Sequence, residues 1–88
     1  MKTSIETKLR ETFSPLFLTI EDESHLHVTH GNYQTGGGSH LKITLVSALF
    51  TSCSRIQRHQ MVYACLAIEL KNGVHALCLQ LHSPEEVA

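Results

Sequence analysis

The chain has 88 residues, enough for one small domain spanning 1–88 with a modest core. Apolar residues make up 42% and charged residues 17%, the balance of a globular chain and not of a disordered one. The formal net charge of -1 offers no basic excess of the kind that marks a dedicated nucleic-acid binder; the compositional departure is seven histidines.

Cys53, Cys65 and Cys78 form no C-x-x-C pair, so they outline neither a disulfide framework nor a zinc site. Reduced thiols and a cytoplasmic location are expected. No stretch approaches the roughly 18 apolar residues of a membrane span, and the first residues lack the apolar centre of a secretory signal.

Residues 3–14 predict the first helix: Ile5, Leu9 and Phe13 form one apolar stripe, and Thr3-x-x-Glu6 reads as a capping box. Ser14-Pro15 ends it, because the residue before proline avoids the helical region. Residues 16–23 and 40–47 alternate apolar and polar side chains and predict an antiparallel strand pair. Between them, residues 24–38 carry four glycines together with His25, His27 and His30. Connections of that length are uncommon in compact domains and are usually functional.

A second helix is expected to begin at Arg55, with Val62, Leu66 and Leu70 as its apolar stripe and His59 turned to the inner side, in a packing role. Asn72-Gly73 is a stop signal. Residues 74–81 then read as a strand apolar on both faces, with Leu77, Leu79 and Leu81 on one side and Val74, Ala76 and Cys78 on the other. An apolar strand reached through a helix predicts a parallel crossover. Ser83-Pro84 reads as the start of a short last helix. The order helix, strand, strand, helix, strand, short helix predicts an α+β fold, a three-stranded mixed sheet with helices on one face.

Four motifs in this order resemble those of the BolA family. They are Asp22-Glu23-Ser24 followed by His27, Ser39-His40-Leu41 opening a strand, Arg58-His59 opening a helix, and His75-Ala76-Leu77 opening the last strand. The ending Ser83-Pro84-Glu85-Glu86 is similar to the family's threonine-proline-glutamate-glutamate. The chain departs from the family at Phe50-Thr51-Ser52, where the pattern has glycine third, and at Val87, where it has tryptophan.

The resemblance implies a fold similar to a type II KH domain and a monothiol glutaredoxin as partner. The two proteins would share a [2Fe-2S] cluster, to which glutaredoxin brings its cysteine and glutathione. His75 would be one ligand from this chain and His27 the other, with His30 the alternative to His27. No cofactor is expected in the isolated protein, which is expected to be a monomer. The family also implies a second reading, a DNA-binding regulator of transcription, morphology and stress responses. The basic residues available to it are Arg55, Arg58, Lys71 and Lys42. No nucleophile–base–orienter set can be assembled, so an enzyme is not expected.

Overall fold

Ile5, Leu9 and Phe13 recur once per turn, and in the computed structural model they are all buried along one side of helix α1, Lys2–Phe13. The structure describes residues 2–23, 40–74 and 76–88. Strand β1 (Phe17–Asp22) runs antiparallel to β2 (His40–Val46), and β3 (Ala76–His82) runs parallel to β2 on its other side. The sheet order is therefore β1-β2-β3. A 3-10 turn at Ala48–Phe50, helices α2 (Arg55–Cys65) and α3 (Ala67–Lys71), and the terminal α4 (Pro84–Val87) complete the chain. The α+β architecture, the antiparallel pair and the parallel crossover all follow the sequence pattern.

The core lies between the helices and one face of the sheet. Leu41, Ile43 and Leu45 of central β2 are buried against Phe13, Phe50, Val62 and Leu66, while Leu77, Leu79 and Leu81 of β3 pack at its margin. Burial of each such side chain contributes about 1.5–3 kcal/mol before ordering costs. On the opposite face Ala76, Cys78 and Gln80 are exposed, and the Thr44 hydroxyl donates to Gln80 Oε1 at 3.2 Å. The expected second apolar face of β3 is thus a solvent face. Among the described residues, helices cover one side of the sheet, and alanine and cysteine are small enough to stand in water at little cost.

Helix ends account for two further differences. Helix α1 already begins at Lys2, so Thr3 lies inside it; Glu6 accepts from Arg10 Nε at 3.0 Å, four residues on. Helix α2 has the capping box: Ser54 Oγ accepts from the Gln57 N–H, and Gln57 Oε1 from the Ser54 N–H. The single second helix that was expected is divided at Leu66, whose φ of -104° and ψ of 20° bend the chain. The Leu66 to Val62 and Leu70 to Leu66 hydrogen bonds continue across the bend, at 3.0 and 2.9 Å. Helix α4 starts at Ser83-Pro84 as expected, and the Glu86 carboxylate also accepts from the Ser83 N–H at 3.0 Å.

Ser52, where the family pattern has glycine, sits at φ 66° in the left-handed region. A Cβ there is sterically costly, whereas glycine is not penalised. Ser52→Gly is expected to stabilise the protein by about 0.5–1 kcal/mol, part of the relief being offset by the more flexible unfolded chain. A urea denaturation midpoint that did not rise would contradict this.

Candidate functional site

At one end of the sheet the Glu23 N–H donates to the His40 carbonyl at 2.8 Å, closing the β1–β2 pair. His40 is also the register partner of Ala76, the first residue of β3. The two ends of segment 24–39 and the residue that follows His75 therefore meet at one end of the sheet. His25, His27, His30 and His75 themselves lie outside the described residues. His40, half-buried, is the described histidine at this end. Among the described residues, no group of three or more histidine, cysteine or carboxylate side chains could hold a metal ion.

At the other end of β3 an open groove of about 700 Å³ separates the start of α2 from the strand, lined by Arg55, Arg58, His59, Leu79, His82 and Glu86 among others. Arg58 dominates it. Its Nη1 and Nη2 donate to the two Glu86 carboxylate oxygens at 2.7 and 3.0 Å. Nε donates to the Cys53 carbonyl at 3.1 Å and Nη1 also to the Leu81 carbonyl at 3.0 Å. The guanidinium lies 5.8 Å from the centre of the Phe50 ring, within range of a cation–π contact. The hydrogen bond from Arg58, with that from the Ser83 N–H, brings the Glu86 carboxyl down to about 2. The same bond to Glu86 raises the Arg58 pKa.

Arg58 is only 9% exposed, so it is a structural anchor and not the phosphate contact that was expected of it. The inner stripe of α2 is Arg58, Val62 and Leu66, one residue earlier than the rotation that would place His59 inside. His59 is half-buried on the wall of the groove, and Tyr63, a turn later, is 46% exposed. Arginine fits inside here because carboxylate, carbonyl and aromatic partners converge on its fork.

The other three basic candidates do not share a surface. Arg55 is exposed at the start of α2 and Lys71 is exposed at the end of α3. Lys42 stands on the open face of the sheet, paired in register with Glu21. Of the cysteines, Cys78 is exposed, whereas Cys65 packs against the core with its thiol near the Thr12 hydroxyl at 3.4 Å. Sequence reasoning passed over Glu69, a carboxylate at 5% exposure held by Lys8 and Ser4 of α1. Its partners are more than sixty positions away, and no local pattern announces them.

Known proteins resemble this chain along nearly its whole length. The DNA-binding transcriptional regulator BolA of Haemophilus influenzae is 49% identical over 82 residues, covering 93% of this chain and 76% of that protein. The protein of the same name from Escherichia coli is 43% identical over 86 residues, covering 98% and 78%. Among solved structures, the BolA domain of SufE1 from Arabidopsis thaliana superposes with a TM-score of 0.86 at 34% identity, covering 96% of this chain and 92% of that one. No helix among the described residues is long and apolar enough to cross a membrane. The profile described as BolA-like protein matches residues 9–86, and with these relatives it establishes that the chain belongs to the BolA-like family.

Proposed function

We propose that the protein is an iron–sulfur accessory and regulatory protein that binds a monothiol glutaredoxin and contributes histidine ligands to a [2Fe-2S] cluster held between the two. The observation that carries this reading is the meeting of Glu23, His40 and Ala76 at one end of the sheet. Glu23 and His40 flank segment 24–39, whose sequence holds His27 and His30, and Ala76 follows His75 in the chain. Neutral imidazoles suit iron, and replacing thiolates by histidines lowers the negative charge of a cluster and raises its potential. His75 would serve as one ligand and His27, or alternatively His30, as the other. The cluster would supply one-electron chemistry, while this chain sets the donor atoms and, through histidine protonation, a dependence on pH.

The test is a titration of the protein into cluster-loaded glutaredoxin, followed by visible absorption and circular dichroism. The wild type is expected to change the spectrum and His75→Ala to lose most of that change. Comparing His27→Ala with His30→Ala assigns the second ligand. A spectrum unchanged by the wild type, or changed equally by His75→Ala, would sink the proposal.

The second reading is a DNA-binding regulator, favoured by the names of the Haemophilus and Escherichia relatives. With Arg58 committed to Glu86, its phosphate contacts reduce to Arg55, Lys71 and Lys42. Three contacts predict that log K falls against log salt with a slope of about -3. Absence of binding to duplex DNA at low salt would remove this reading.

A further inference from the structure

We infer that the free edge of β3 pairs antiparallel with β3 of a second copy of this chain about a two-fold axis through Cys78, and that oxidation captures this pair as a Cys78–Cys78 disulfide.

The His82 carbonyl accepts from the Ser47 N–H and so points toward β2, whereas the Leu81 carbonyl points away from β2 and is taken by Arg58. Alternation along a strand then turns residues 76, 78 and 80 toward β2 and leaves Leu77 and Leu79 with N–H and C=O on the open edge. Among the described residues these groups have no backbone partner. Arg58 closes the edge at Leu81, so the open length is centred on Cys78.

Residues 76–81 of the strand itself carry none of the usual edge guards. Proteins usually guard edge strands with charge, proline or a bulge. The other edge, β1, has Glu21 and Asp22; β3 reads ALCLQLH, without an acidic or basic residue other than its terminal histidine and without proline. Both sides of the edge are also self-complementary about residue 78. Leu77 meets Leu79 of the second copy in a hydrogen-bonded pair on the core side, and Ala76 meets Gln80 on the open face.

Cys78 then faces its own copy at a non-hydrogen-bonded position, where Cα atoms approach to about 4.5 Å. That separation lies within the range a disulfide spans, and Cys78 is exposed on the open face. An edge this short buries too little area for a lasting dimer on its own. The reduced protein is therefore a monomer at micromolar concentration, and the pair is trapped by a low-molecular-weight disulfide. One Cys78 thiolate attacks that disulfide and releases one thiol; the second Cys78 attacks the mixed disulfide, releases the other thiol and forms the bond between the chains.

The test incubates the full 88-residue chain with oxidised glutathione and reads the products by non-reducing mass spectrometry. A dimer linked Cys78 to Cys78 is expected, and it should form equally in the Cys53→Ser/Cys65→Ser variant. Ala76→Lys/Gln80→Lys places like charges opposite each other at both ends of the pair and should slow capture about tenfold, while Ala76→Lys/Gln80→Glu should restore it. These positions are exposed, so folding is not at stake. Amide exchange at Leu77 and Leu79 should slow in the dimer. A dimer linked through another cysteine, glutathione adducts of Cys78 without dimer, or capture indifferent to the charge pairs would each overturn the inference.

Discussion

Arg58→Ala is expected to destabilise the protein by about 3 kcal/mol, since it leaves the Cys53 and Leu81 carbonyls without their donor and removes the cation–π contact with Phe50. In a domain of this size that is a large share of total stability and corresponds to a fall of roughly 15 °C in melting temperature. Arg58→Lys should lose most of the same amount, because an ammonium cannot make the bidentate bond to Glu86 and still reach the Cys53 and Leu81 carbonyls. That arm separates anchoring from phosphate binding, for which a lysine would largely suffice. Acid unfolding provides a second check. The Glu86 carboxyl titrates at about 2 in the folded protein and near 4.3 when unfolded. A depressed folded value means the unfolded chain binds the proton more readily. The contribution is therefore complete above about pH 4.5 and lost as pH falls toward 2. Glu86→Gln, which keeps an acceptor for the Ser83 N–H, should flatten the stability profile over that window in urea titrations at stepped pH.

What could be read from the residues alone depended on how far each interaction reaches along the chain. Alternation in β2 was unambiguous because Leu41, Ile43 and Leu45 all face one core. The same rule misplaced Cys78, because Ala76 and Cys78 count as apolar yet cost little when exposed. In α2 the stripe was anchored on Val62, Leu66 and Leu70, and it missed Arg58 because a charged residue scores as outward. Its partners, Glu86 and the Leu81 carbonyl, lie over twenty residues away. The bend at Leu66, where neither glycine nor proline stands, brings Glu69 inside beyond the reach of a straight helix's periodicity. For the candidate site, resemblance named His75, His27 and His30; the fold contributes the convergence of Glu23, His40 and Ala76. No periodicity carries that convergence, since it depends on pairing β2 with a strand more than thirty positions later.

Lys8→Ala is the other substitution expected to cost about 3 kcal/mol, because it leaves a buried carboxylate without its counter-charge. Lys8 Nζ lies 2.8 Å from Glu69 Oε2, and the Ser4 hydroxyl donates to the same oxygen at 3.1 Å. Burial pushes the Glu69 carboxyl up, but the hydrogen bonds from Lys8, the backbone and Ser4 outweigh it and leave the pKa lowered. Without Lys8 the balance reverses, and Glu69 should take up its proton more readily folded than unfolded. The wild type loses stability as pH falls through the folded pKa, whereas Lys8→Ala should gain relative to it. The difference between them is thus greatest near neutral pH and narrows below about pH 4. Lys8→Ala/Glu69→Gln should be less damaged than the sum of the two single variants, by about 1–2 kcal/mol of coupling in a double-mutant cycle. The consequence extends to the candidate site. The Glu69 carbonyl accepts from the Val74 N–H at 3.2 Å, so the pin between α1 and α3 also fixes the approach to β3 just before His75. Amide exchange at Val74 should accelerate in Lys8→Ala while that of Ile43, in the middle of the sheet, follows only the global loss of stability. Equal acceleration at both would show that the ion pair supports the whole domain and not the entry to β3.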